Sequence, residues 1–238
     1  MNSNKTSSII LGISLILGLS CLGWLLANAA LQYKAFERTV KVKGLSEKEY
    51  QADVVIWPIQ FTLADNNLQS LYNDAEKNTR IIVQFLSENG IATKDITPSA
   101  PSITDKLAQQ YGNNSGSPFR YTAVQTVTVY SQNIESVRNV MGKISELGKK
   151  GIVITGNGYA SQTEYLFTRL NEVKPKMIEE ATRKARAVAE KFAADSDSTL
   201  GKIRKASQGQ FSISPRDNNN PQIKKVRVVS TIEYYLSD

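Results

Sequence analysis

The side chains of this chain that can do chemistry are carboxylates, amines, guanidiniums and hydroxyls, because its 238 residues include no histidine and one cysteine. Imidazole is the group most used as an acid or base near neutrality and as a transition-metal ligand, so histidine-dependent triads and zinc sites are excluded. Cys21 lies inside an apolar run. It offers no intramolecular disulfide, no CxxC pair and no thiol nucleophile beside a base. Among the carboxylates, Glu179 and Glu180 are adjacent in a helical stretch and project about 100° apart, too divergent to share one substrate. Glu47 and Glu49 flank Lys48 in a turn-like segment. Both pairs read as solvated. Gly156-x-Gly158 is too short for a dinucleotide fingerprint and precedes no helix N-terminus, so it reads as a β-bulge. No catalytic, cofactor-binding or metal-ligating set emerges, and no cofactor is expected.

The remaining candidate is positive charge. Lys plus Arg number 29 against 22 Asp plus Glu, a net charge of +7. Residues 34–150 hold 14 basic and 12 acidic side chains and residues 151–238 hold 14 and 10, too thin a surplus for a nucleic-acid footprint. Lys202, Arg204 and Lys205, with Lys224, Lys225 and Arg227, form a candidate basic face on one hairpin for anionic lipid headgroups or a partner. Each charge near a membrane surface contributes about 1 kcal/mol. The plainer reading, a solvated strand face, stays open.

The elements that must position these groups begin with an apolar segment. From Thr6 to Tyr33 there is no charged residue, and its strongly apolar part is Ile9 to Leu26, about 27 Å as helix. That nearly spans a bilayer and is long for a cleaved signal peptide. We expect residues 1–33 to form a retained single-pass anchor contacting lipid through residues 9–26. Cleavage after Ala27-Asn28-Ala29, releasing a soluble periplasmic ligand-binding module, is the alternative. Acylation of Cys21 is a lesser one, since the usual upstream leucine is displaced by one position. Trp24, Tyr33 and Phe36 suit the far interface. Lys34, Arg38, Lys41 and Lys43 follow the span while only Lys5 precedes it, so the positive-inside rule alone would leave the domain in the cytoplasm.

Residues 34–238 read as an α+β domain. Thr39 to Lys43 alternates like a strand. Val54 to Leu63 is a second strand that Pro58 should confine to an edge or a bulge. Asn66 or Asn67 caps a helix running to about Asn89, with Leu68, Leu71, Tyr72, Ala75, Ile82, Phe85 and Leu86 as its apolar face and Asn89-Gly90 as its stop. Thr97–Lys106 and Arg120–Ser131 form a hairpin around the polar loop at 111–118. A short helix over 134–147, a long strand over 152–167 and a helix over 169–194 follow. In the last, Pro175 favours a later start, and Ile178, Ala181, Ala185, Val188, Ala189 and Phe192 face inward. Two strands, 201–214 and 222–236, flank a second polar loop. The order of elements repeats in two β-α-β-β-like halves, about 52–131 and 152–238, with antiparallel sheets packed by long helices.

These residues resemble the SIMPL-domain proteins of bacterial envelopes. The resemblance is carried by Val40, Val42 and Gly44, by Ala52-Asp53 within RTVKVKGLSEKEYQADVVIWPIQF (38–61), by ITGNGYA (154–160) and by EEATRKARAVAEKFAADSDSTLGKIRKAS (179–207). It covers nearly everything after residue 36, and with the apolar N-terminus it looks like a membrane-anchored branch. The resemblance implies an α+β fold on the periplasmic side of the cytoplasmic membrane, no established enzymatic activity, an association with envelope or oxidative stress, and self-assembly. The function expected is a non-enzymatic, homo-oligomeric binding scaffold. A hydrolase working without histidine is the rival reading from another class.

Overall fold

The computed structural model describes residues 3–35, 38–108, 118–156, 158 and 161–237. Phe36, the polar loop over 111–117, Asn157, Tyr159 and Ala160 lie outside the described residues, and with them parts of the Gly156-x-Gly158 and ITGNGYA motifs. The chain opens with helix α1 (Ser3–Ala35). The rest is mixed α and β with antiparallel sheets, as expected. By its contacts the chain divides into two compact units, one of Met1–Glu47, Val173–Ser212 and Arg227–Asp238, the other of Lys48–Glu172 and Ile213–Val226.

The second unit is organised by β2 (Val54–Asp65) and β5 (Tyr121–Ser131), which pair antiparallel in unbroken register from Val55↔Ser131 to Asp65↔Tyr121. Alternation puts Val55, Trp57, Ile59 and Phe61 of β2 opposite Val127 and Val129 of β5 in one apolar core. Pro58 does not sit at an edge. It lies in the middle of a central strand, paired with Thr128. On the other side of β2, β6 (Val153–Thr155) pairs with residues 60–62 and β7 (Glu164–Leu166) with residues 54–56. Pro58 falls in the gap between them, where no ladder hydrogen bond is lost. The long strand expected over 152–167 is thus two three-residue strands.

On the outer side of β5, β4 (Ser102–Asp105) forms the expected hairpin, and β3 (Ile96–Pro98) pairs further along the same strand. α2 (Leu68–Glu88) covers this sheet. The Asn67 side-chain oxygen accepts the N–H groups of Gln69 and Ser70, and Gly90 takes φ +91° just beyond the end, so the start and stop signals both act as read. Leu71, Ala75, Ile82, Phe85 and Leu86 are buried, whereas Leu68 and Tyr72 are exposed. The short helix is broken into α3 (Ile134–Met141) and α4 (Ser145–Lys149); both contribute to the core, through Val137, Val140 and Leu147.

β10 (Ile223–Ser237) runs between β1 (Thr39–Gln51) and β8 (Thr199–Gln208), while β9 (Ser212–Pro215) also pairs with β10; β8 lies wholly in the first unit, and β9 all but Ser212 in the second. Leu236 N–H donates to Arg38 C=O at one end, and Arg227 approaches Glu47 at the other. β1 and β10 are therefore antiparallel. β1 is far longer than Thr39 to Lys43, because its alternation continues through Gly44 and Ser46, both buried, which carry no apolar signal.

The reason is α5 (Leu170–Asp195), whose buried residues are Met177, Ala181, Ala185, Ala189 and Ala193. A seam of alanines lets the helix backbone lie close to the strand, and Gly44 is what fits beneath it: a Cβ there would fall 2.6 Å from Ala185 N and inside the carbonyl oxygen of Ala181. Ala185 and Ala189 share the small core with Val42, Ile232 and Tyr234. Val188 and Phe192, expected on this face, are exposed, and Ile178 is half-buried. α5 begins at Leu170 despite Pro175 inside it. One turn in, the proline removes only the bond to the carbonyl of Asn171.

Candidate functional site

α1 is the first functional element. Leu11–Ala30 is a 20-residue window of mean hydropathy 1.8, none of it buried within the protein. Leu15, Ile16, Leu17, Leu19, Trp24 and Leu26 are each at least 60% exposed, so among the described residues nothing covers this stretch of the helix. Cys21 is an exposed free thiol on the same helix.

The six basic residues of the candidate face are divided between the two units. Lys202, Arg204, Lys205 and Arg227 belong to the first unit, Lys224 and Lys225 to the second. Along β10 the even positions 224–234 are buried, so Lys224 points to the opposite face from Lys225 and Arg227. Arg204 donates to Glu233 Oε1 at 2.9 Å, and Glu233 also accepts from the Thr39 hydroxyl. The Thr39 hydrogen bond, then Arg204, hold the Glu233 carboxyl below its ordinary range. Lys202 lines a groove of about 700 Å³ with Arg183 and Arg186 of α5, floored by Leu200, Ile203 and Tyr234. Arg183 and Arg186 were missed by the sequence reading, although their three-residue spacing puts them on one flank of the alanine seam.

The carboxylate pairs are committed to separate structural contacts. Glu180 accepts from the Ser46 hydroxyl at 3.1 Å and pairs with Lys184 at 2.8 Å. Glu47 approaches Arg227 and Glu49 approaches Arg216. Among the described residues no group of three or more Asp, Glu or Cys is placed to hold a metal ion.

Asp53 has a sharper role. Its oxygens accept the N–H of Thr168 at 2.9 and 3.0 Å, the N–H of Arg169 at 3.2 Å and the Arg169 Nε at 3.1 Å. From the connection between β1 and β2 it thereby holds the chain entering α5. Partial desolvation pushes the carboxyl up, but the bonds from Thr168 and Arg169 outweigh that and hold it below the ordinary aspartate value. A carboxyl depressed in the folded state stabilises fully above its unfolded pKa, and that contribution disappears as pH falls through the folded value. Asp53→Ala is expected to cost about 1–2 kcal/mol at neutral pH. The gap between urea melts of wild type and variant should begin to close below about pH 4, the ordinary aspartate range, and vanish only below the lowered folded-state value; a gap that does not narrow between pH 7 and pH 3 would remove Asp53 as the cause.

A second pocket, of about 590 Å³, is lined by the β7 segment and by the loop that precedes β10, with Lys224 on its wall. Lys224 is 8% exposed. Burial pulls its pKa down, and the nearby Glu164 carboxylate partly restores it. Asp217, on the same wall, is fully engaged by Arg216 Nε at 2.8 Å, by the N–H groups of Asn219 and Asn220 and by the Asn220 amide. Tyr165 faces the pocket edge, with its hydroxyl 3.9 Å from Met141 Sδ. Nothing in the sequence distinguished Lys224 from its exposed neighbours except its even position on a strand whose even positions are apolar.

Compared with known families, residues 40–233 match the model described as SIMPL, protein of unknown function (DUF541). The chain belongs to the SIMPL family. No curated protein matches it. In this SIMPL chain the motif residues do architectural work. Val42 and Ala52 are buried, Gly44 admits α5, and Asp53 holds the chain entering it. Gly201 approaches Tyr235 so closely that a Cβ would lie 3.0 Å from its carbonyl oxygen. These contacts seat a helix on a strand and set two paired strands close together.

Proposed function

We propose that this SIMPL protein is a membrane-tethered, periplasm-facing module of the cell envelope that acts by binding and self-assembly, without catalytic chemistry of its own. The observation that carries the tether is the uncovered apolar helix. Twenty residues reach about 30 Å, the thickness of the hydrocarbon core, and burying each Leu or Ile side chain in an apolar medium contributes about 1.5–3 kcal/mol. Four basic residues after the span oppose the outward orientation, and the family resemblance supports it. Homo-oligomerisation is supported by the open edge of β8, exposed at every position except Leu200. Lys202, Arg204 and Lys205 repel an identical edge, so β8 is expected to meet a different, acidic surface of a second copy.

The protein should stay with membranes through carbonate and high salt and leave them only in detergent. Release by carbonate would defeat the tether. A reporter active only outside the cytoplasm, fused after Asp238, should be active; activity of a cytoplasm-only reporter would instead vindicate the flanking charges. An intact mass of 26.3 kDa retains the anchor, whereas a mass reduced by residues 1–29 supports the soluble binding module. Crosslinking in native membranes should give multiples of the chain, and a monomer alone would remove the assembly half of the reading.

A further inference from the structure

We infer that the pocket walled by Lys224 is a binding site for a small carboxylate-bearing molecule, whose anionic end meets the Lys224 ammonium. The inference rests on the binding half of the reading above and names the chemistry of what is bound.

Lysine is almost never buried unless paired. Lys224 is 8% exposed, yet no hydrogen bond or ion pair joins its ammonium to another described residue. Its stem is enclosed by the inward face of β10 while its head borders a cavity of about 590 Å³. The carboxylates bordering the same cavity do not neutralise it at contact. Asp217 is saturated by Arg216 and the Asn219–Asn220 turn, and Glu164 acts on Lys224 only through space. Such an ammonium, with its stem buried and its head at the cavity, is stabilised by an anion that enters the cavity and meets it at contact.

The surroundings select the anion. Gln162, Thr163 and Asn218 supply neutral hydrogen-bonding groups around the cavity, and Leu166, Pro215 and Pro221 supply apolar wall. Among the described residues that line it there is no arginine fork and no helix N-terminus, which are the devices that hold a phosphate. Glu164 repels a second negative charge and attracts a positive one. A compact monocarboxylate therefore fits, and an α-amino acid, with its ammonium toward Glu164, fits better.

Full-length protein in detergent micelles is titrated with acetate, glycine and inorganic phosphate at constant ionic strength, with the melting temperature as readout. Acetate and glycine should raise it saturably, as ligands that bind only the folded state do. Lys224→Met, close in volume, should fold with a melting temperature no lower than that of wild type, since it removes an uncompensated buried charge. It should lower affinity for both carboxylates by about tenfold or more. Glu164→Gln should weaken glycine and spare acetate. Three results each overturn the inference: equal affinity in wild type and Lys224→Met, no saturable response to any of the three probes, or a preference for phosphate. A failed titration leaves the carbonate-extraction and crosslinking results untouched, so the two readings fall separately.

Discussion

Gly44→Val is expected to destabilise the unit built on α5 by about 3 kcal/mol or more, enough to unfold a domain of ordinary stability. A Cβ at this position would meet backbone on every near side: the carbonyl oxygen and carbon of Ala181, the latter at 2.9 Å, and the amide nitrogen of Ala185 at 2.6 Å. Backbone in the middle of a helix cannot rotate aside as a flexible side chain can. Relief requires the helix to lift off the strand, which uncovers Ala181, Ala185 and Ala189 together with Val42 and Ile232. Gly148→Ala is the control, because nothing lies within 4 Å of its added Cβ, and it should change stability by no more than about 0.5 kcal/mol. Circular dichroism melts of the full-length protein, with hydrogen exchange read over residues 173–195, would show lost protection in Gly44→Val alone. Native-like protection of α5 in the valine variant would mean that the helix does not rest on β1.

Ala185→Leu attacks the same seam from the helix side and should cost about 2–3 kcal/mol, the upper part of the range for overpacking. Ala185 is fully buried, and three added heavy atoms have no void to enter beside Gly44, Val42 and Tyr234. Lys184→Leu, one position round the helix, loses an ion pair to Glu180 whose lysine is half exposed. It should shift stability by no more than about 0.5 kcal/mol. Similar melting temperatures for the two variants would place the buried face of α5 elsewhere.

Much of this architecture is written locally. The Asn67 cap, the Asn89-Gly90 stop and the three-and-four spacing of Ile82, Phe85 and Leu86 define α2 within two residues of its ends. The reason is that capping bonds and φ preferences act over single turns. The uncharged run from Thr6 to Tyr33 defines α1 by composition alone. The hairpin of β4 and β5, the mixed α and β class and the alanine seam at 181, 185 and 189 are legible for the same reason.

The misread elements fail where a neighbour distant in sequence decides the outcome. Pro58 is an edge signal by its own chemistry, yet it is central because β6 and β7 leave a gap opposite it. β1 extends to Gln51 because Gly44 and Ser46 are inward positions whose smallness serves a helix more than 130 residues away. Val188 and Phe192 carry the apolar signal of α5 but lie outside the contact, since a helix that approaches this closely selects small side chains for its buried stripe and leaves large ones on the flank. Lys224 reads as one more basic residue in a run, and only its even position in β10 and the pocket beside it make it unlike Lys225.

The sequence by itself determined that histidine and disulfide chemistry are not on offer, where the candidate anchor lies, and that the domain mixes helices with antiparallel strands. Those follow from residue types and from periods of two to four residues. The tertiary structure alone decided which strand is central, which small residues are contacts, and which lysine has its stem buried, because burial and pairing are properties of what lies opposite a residue in space.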